Sequence, residues 1–336
     1  MKRSPNIVWG GFYAFSGGKV EEQDLFDNWE QQYPEMFKVM QRGFYDFNAR
    51  ICAIRETFEE INMLIVKTLD GETPELYQGL REEYIKKYKS NFLEFCKDKR
   101  IIPDLNQVYG YRRVASGVQM IPGIDNQFYI YFAKADESVK KVDINKGEFT
   151  NAKWLNPKDA LDKYYRGDLP MLVPQYLCLC HFNLIHNLSD FQNLAQNVYD
   201  SNLISYSSIQ ISVKNLDKLP KDFRQKAVKE FCNEHDLKSD KDRNMTVFAN
   251  PNYAKLCERM ASQKSSFKEL ADQYEGIMIG TMSGDFYDQN DGYPILSRKS
   301  SRRRMYMTKN WEVIRFEVTS DILELFIKHH IELPKL

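Results

Sequence analysis

The sequence predicts an α+β fold, or an α/β/α sandwich, and three observations carry that prediction. Segments with a three-to-four-residue apolar period are interspersed with short runs of aromatic and branched residues, so helices and strands are mixed along the chain. The 336 residues, 43% of them hydrophobic, are enough to bury a sizeable core in two domains or in one with insertions. Twenty Tyr, 21 Phe and four Trp favour a large packed body, in which many phenol hydroxyls need partners.

The elements follow in order. Residues 7–20 read as extended, ending in a turn at Ser16-Gly17-Gly18, where two glycines mark a close backbone approach. Residues 21–47 are acidic and aromatic and read as partly helical. From Asn48 onward, Ile51, Ile54, Phe58 and Ile61 repeat at 3, 4 and 3, one apolar face of a helix. Residues 73–99 read as strongly helical, with Thr73 as N-cap and Pro74 in the first turn. Strands are expected at 108–115 and 128–133. A short helix is expected at 157–166 behind an Asn156 N-cap, and a longer apolar one at 173–199. Further strands are expected at 205–214, 245–249 and 277–279, and a closing pair at 303–307 and 311–318 turns at 308–310. Residues 252–275 and 320–331 read as helices.

Charge and cysteine content narrow the function classes. With 47 basic and 47 acidic residues the chain is not a globally basic nucleic-acid binder. No run of 18 apolar residues marks a membrane-spanning helix. The six cysteines, at 52, 96, 178, 180, 232 and 257, lack zinc-ligand spacing and read as buried free thiols. The N-terminus has no apolar core of a secretory signal, and no cleavable signal is recognisable.

The segment with chemical content is Arg55-Glu56-Thr57-Phe58-Glu59-Glu60. Glu56, Glu59 and Glu60 lie three and four residues apart and crowd one helical edge. Carboxylates that close repel, and a hard cation such as Mg²⁺ or Mn²⁺ reverses that cost. Arg55, four residues before Glu59, can orient it by a charge-assisted hydrogen bond. Three glutamates by themselves also read as an acidic solvated face; their surroundings decide.

Arg-Glu-x-x-Glu-Glu resembles the core of the Nudix box. Ala14-Phe15-Ser16-Gly17-Gly18 is similar to the Phe-Pro-Gly-Gly element that opens the box, and Asp24 stands where the box has its first acid. Thirty residues, 25–54, separate Asp24 from Arg55 where the family has seven. That resembles the long-insert Nudix hydrolases, the branch similar to peroxisomal and mitochondrial coenzyme A diphosphatases. Residues 124–129, Trp154-Leu155-Asn156-Pro157, Leu172 with Pro174, and Ser283-Gly284-Asp285 resemble later elements of that branch. Departures are Ser16 for the family Pro, Asn62 for the closing Gly, and Gly123 and Asn126 for an Arg and a Thr. An apolar strand that the family places before the Arg3-Ser4-Pro5 segment is also expected to be supplied from elsewhere, by a partner or a later segment.

The resemblance implies a Nudix-fold α/β/α sandwich over residues 1–200, interrupted by a helical insertion at about 25–47, with a C-terminal extension at 201–336. It implies Glu56, Glu59 and Glu60 as ligands for Mg²⁺ or Mn²⁺, Glu59 or Glu60 as general base assisted by Arg55, and Gly17 and Gly18 as backbone contacts to phosphates. The implied activity is diphosphatase hydrolysis of a coenzyme A-like or nucleoside diphosphate-linked substrate, in a mitochondrion or peroxisome. The alternative reading is a catalytically silent Nudix-fold subunit of a larger assembly with protein partners. Features outside this pattern read as structural. They are the basic cluster Arg298, Lys299 and Arg302–Arg304, the amphipathic helix at 84–95, His181 and His186, His329-His330, the Asp285, Asp288 and Asp291 loop, and a terminal Pro334-Lys335-Leu336 only partly similar to a peroxisomal tripeptide.

Overall fold

The structure is a computed structural model. It describes residues 1–40, 43–116, 125–134, 142–185 and 187–196, and beyond them 204–212, 245–249, 251, 278–281, 303–307 and 313–319. The expected helices at 252–275 and 320–331, the turn at 308–310, the basic cluster at 298–302, and His186, His329, Ser283 and the Asp285 loop lie outside the described residues.

Among the described residues eight α-helices and eleven strands occur in mixed order, which bears out the α+β class. The helices are α1 (Phe26–Gln32), α2 (Glu35–Val39), α3 (Phe47–Ile61), α4 (Leu80–Tyr88), α5 (Phe92–Lys99), α6 (Pro157–Tyr165), α7 (Val173–Phe182) and α8 (Leu188–Leu194). The strands are β1 (Lys2–Arg3), β2 (Val66–Thr68), β3 (Ile101–Pro103), β4 (Val108–Ser116), β5 (Asp125–Tyr131), β6 (Phe149–Asn151), β7 (Ile204–Ser212), β8 (Met245–Ala249), β9 (Met278–Thr281), β10 (Arg303–Met307) and β11 (Val313–Thr319). No described helix is long and apolar enough to cross a membrane.

The chain divides into two compact units. The first comprises Met1–Tyr111, Gln127–Leu155 and Ala195–Asn202, and the second Arg112–Asn126, Asn156–Leu194 and Leu203–Leu336. In the second unit, β4 runs parallel to β7, and β7-β9-β10-β11-β8 continues as an antiparallel array. Asn156 caps α6 by accepting the Lys158 amide at 2.8 Å, as its sequence position predicts. Tyr164 and Tyr176 join α6 to α7 with ring centroids 5.2 Å apart. The apolar helix expected at 173–199 is broken instead, ending at Phe182 and resuming as α8. Asn187 accepts the Asp190 amide at 2.8 Å and so restarts the helix.

The first unit carries the candidate site. Its core is an aromatic-rich cluster around α3: Ile51, Ile54 and Phe58 are buried together with Trp29, Phe92, Phe95 and Tyr84, and the Phe58 ring lies 5.3 Å from Tyr84 and 5.7 Å from Phe95. The helical insertion is part of this core. Trp29 and Met36 are fully buried, and the Trp29 indole donates to the Gln23 carbonyl at 2.7 Å. The single helix expected at 73–99 is two, and Thr73 with Pro74 lies outside both. Helix α4 starts after a left-handed Gly79 and stops at left-handed Lys89, and Asn91 caps α5 by accepting from the Glu94 amide at 3.0 Å.

The N-terminal segment also differs from expectation. Residues 7–15 turn back on themselves instead of extending. The Gly10 amide donates to Ile7, Gly11 to Arg3 and Ala14 to Met1. Lys2 and Arg3 pair with Asn151 and Phe149, and Lys2 bridges to Tyr13. Part of the main chain of this segment is therefore paired within the chain.

Candidate functional site

Helix α3 sets the site geometry. Its apolar face is fixed in the core, so the edge bearing Arg55, Glu56, Glu59 and Glu60 turns toward the segment 16–24. The helix ends at Asn62, which is left-handed at φ 58° and donates its amide to the Phe58 carbonyl at 2.9 Å. Asparagine tolerates this conformation better than most side chains, so it serves where the family has glycine.

Arg55 is the hub. It is buried, and its guanidinium grips both oxygens of Asp24, itself 0% exposed, at 2.9 Å each. The same group donates to the Lys19 carbonyl at 3.0 Å, lies 2.8 Å from Glu56 Oε1 and donates to Glu59 Oε2 at 3.2 Å. Burial works against the Arg55 charge, but Asp24, Glu56 and Glu59 outweigh it and hold the guanidinium protonated. A buried ion pair is costly unless its remaining donors and acceptors are satisfied, and here several of them are. The bridge spans the long insertion, so the first acid of the box pattern meets its arginine across 30 intervening residues.

Each glutamate has its own partners. Glu60, 3% exposed, accepts at Oε2 from the Ser16 hydroxyl at 2.7 Å and from the Gly17 amide at 2.9 Å. Glu59 accepts from Arg55 on one oxygen and from the Tyr84 hydroxyl on the other. The Glu56 carboxylate lies against Gly18: a Cβ there would come within 2.2 Å of its Oε1, so a side chain would displace it. Burial pushes Glu56 up to about 7 against the pull of Arg55. It pushes Glu60 up to about 7 against the Ser16 and Gly17 hydrogen bonds. Burial also raises Glu59, with the Tyr84 hydrogen bond and Arg55 opposing it.

All six predicted site residues, Gly17, Gly18, Arg55, Glu56, Glu59 and Glu60, fall within this one region. The Gly17 amide donates to Glu60. Among the described residues no three acidic, histidine or cysteine side chains are gathered to hold a metal ion. By type the three carboxylates are the oxygen donors a hard divalent cation takes, and each is engaged here by protein groups, Glu56 and Glu59 by Arg55 and Glu60 by Ser16 and Gly17. The sequence reading passed over Ser16 as a partner of Glu60 and Tyr84 as a partner of Glu59. Ser16 was visible only as a departure from proline. Tyr84 was one aromatic of an amphipathic helix, and nothing in its spacing marked its hydroxyl.

Comparison with known proteins places this region. The family model of the NUDT19 Nudix domain matches residues 44–182. The acyl-coenzyme A diphosphatase NUDT19 of Xenopus laevis is 27% identical over 225 residues, which are 53% of this chain and 58% of that protein. The chain thus spans under two thirds of the length of that curated relative. A Nudix hydrolase from Alicyclobacillus acidocaldarius is similar in structure, with a TM-score of 0.47 and 20% identity over 60% of this chain and 86% of that one. Residues 44–182 thus match the NUDT19 Nudix domain, and Arg55-Glu56-x-x-Glu59-Glu60 lies on a helix inside the matched stretch.

Proposed function

We propose that the protein is a metal-dependent diphosphatase that cleaves a coenzyme A-like or other nucleoside diphosphate-linked substrate. The observation that carries this reading is the desolvated carboxylate edge of α3, held in place by the Arg55–Asp24 pair behind the Ser16–Gly18 turn. Glu56, Glu59 and Glu60 would hold Mg²⁺ or Mn²⁺. The ion supplies charge neutralisation for the diphosphate and a lowered pKa for a bound water. Arg55 keeps Glu56 and Glu59 oriented. Ser16 and Gly17 keep Glu60 against the turn. Gly18, without a side chain, makes room for the Glu56 carboxylate. Glu59 or Glu60 would serve as the general base that takes a proton from the attacking water. A mitochondrial or peroxisomal location is part of this proposal and is checked by imaging the tagged full chain.

The test is release of 3′,5′-ADP from coenzyme A with Mg²⁺. Wild-type protein is expected to release it, and Glu60→Gln to lose activity by about 10²-fold or more while staying folded. The separate engagement of the three carboxylates by protein donors favours a second reading, a catalytically silent subunit. A wild-type protein inert toward coenzyme A and other nucleoside diphosphate-linked compounds selects it.

A further inference from the structure

Helices α4 and α5 follow the box and look, by sequence, like packing helices. In the structure α4 reaches the last turn of α3 with two side chains one turn apart. Tyr84 is 0% exposed, and its ring is wedged among Phe58, Phe92 and Phe95, with centroids 5.3, 6.2 and 5.3 Å away. Full burial among three aromatic neighbours restrains the ring and with it the hydroxyl. That hydroxyl meets Glu59 Oε1 and lies 2.8 Å from the Ser90 carbonyl. Arg81, one turn earlier, donates to the Asp143 carbonyl at 2.7 Å, pairs with the Asp143 carboxylate at 2.7 Å and lies 3.5 Å from the Glu59 carbonyl.

The two oxygens of Glu59 are therefore held from opposite sides. Arg55, on its own helix, holds Oε2, and Tyr84, from α4, holds Oε1. Arg55 alone would leave the carboxylate free to swing about its terminal torsion. The connection behind Tyr84 is strained in the same place: Lys89 and Ser90 are consecutive non-glycine residues at φ 50° and 60°. Such conformations persist only where the surroundings over-determine them. Here they bring the Ser90 carbonyl to the Tyr84 hydroxyl.

We infer that Tyr84 is a positioning residue for Glu59, fixing that carboxylate in the orientation in which it takes a divalent cation. The inference rests on the proposed metal-dependent reading and extends it to a helix outside the box. A carboxylate oxygen has two lone pairs, so Glu59 Oε1 can keep the Tyr84 hydrogen bond on one while the other stays open to a cation.

The test uses the full chain and two readouts. The first needs no metal: a double-mutant cycle of Tyr84→Phe and Glu59→Gln, read by urea unfolding in EDTA. The second is Mn²⁺ affinity by calorimetry for wild type, Tyr84→Phe and Tyr88→Phe. Tyr88 is the control, because it lies on the same helix and its hydroxyl bonds to Asp98, away from Glu59. The expected result is non-additive unfolding in the cycle, a Kd for Mn²⁺ raised about tenfold in Tyr84→Phe, and an unchanged Kd in Tyr88→Phe. Additive unfolding overturns the inference. So does a Tyr84→Phe protein that binds Mn²⁺ as wild type does, since the bond is then structural only. Wild type without Mn²⁺ binding is a different failure: it overturns the metal-dependent reading itself and the inference with it.

Discussion

At the scale of single residues, the site consists of carboxylates placed where charge is disfavoured. Glu56 and Glu60 have folded values near 7 against an ordinary 4.5, with burial as the largest cause. A carboxyl whose pKa is raised on folding binds its proton more tightly in the native state than in the unfolded one. Stability without metal is therefore highest where both states are protonated, and it falls as pH rises from about 4.5 toward 7. The Met1 amino group, lowered to about 6 by burial, acts in the opposite direction above pH 6. The carboxylate contribution is thus cleanest between pH 4.5 and 6. Urea midpoints of the metal-free protein should decline across that window, and the decline should be shallower in Glu60→Gln. Identical slopes in both proteins would show that Glu60 is not desolvated. Most of these residues were legible in the sequence, because the glutamates and Arg55 share one helical edge by spacing alone. Ser16 and Tyr84 were not, because a hydroxyl's partner depends on which distant element packs beside it.

At the scale of elements, legibility followed local signals. Helix α3 was read from its 3–4–3 apolar face, and its end from Asn62, a side chain suited to the left-handed cap. Strands β8 and β10 fell at the residues expected from their branched and aromatic runs. The single helix expected at 73–99 ends where α5 does, at Lys99, but failed at its start, since residues 73–79 precede α4, and in its middle, where α4 stops on Lys89 at φ 50° with no stop signal; Arg100 after α5 is likewise left-handed at φ 54°. A left-handed non-glycine residue costs roughly 1–2 kcal/mol, partly offset by the freedom a glycine loses on folding. The surviving clue was Asn91-x-x-Glu94, a cap pattern that restarts the chain as α5. Lys89→Gly and Arg100→Gly should each stabilise the protein by about 0.5–1 kcal/mol in urea unfolding, through the relief of this strain. Asn62→Gly should gain less, since asparagine already tolerates the conformation. A loss of stability in the first two variants would mean that their side chains carry contacts outweighing the strain.

At the scale of the molecule, the contact that organises the site is also the one least accessible to pattern reading. Asp24 and Arg55 lie 31 positions apart, yet form a fully buried two-oxygen pair. Their match could be inferred only by treating the intervening residues as an insertion. The structure makes that insertion part of the core through Trp29 and Met36, so the site and the hydrophobic core of the first unit form together. This coupling gives the final prediction. A cation bound by the native carboxylates and not by the unfolded chain raises stability by about 2.7 kcal/mol at one hundred times its Kd. Its ligands must first lose their protons, so binding strengthens as pH rises through the raised values of Glu56 and Glu60. Metal-free protein should therefore weaken between pH 4.5 and 6, while protein in excess Mn²⁺ should strengthen over the same range. Thermal midpoints of the full chain in EDTA and in Mn²⁺, compared across those pH values, measure both slopes. Parallel slopes in the two conditions would separate the desolvated carboxylates from cation binding and leave α3 with an electrostatic role but no metal.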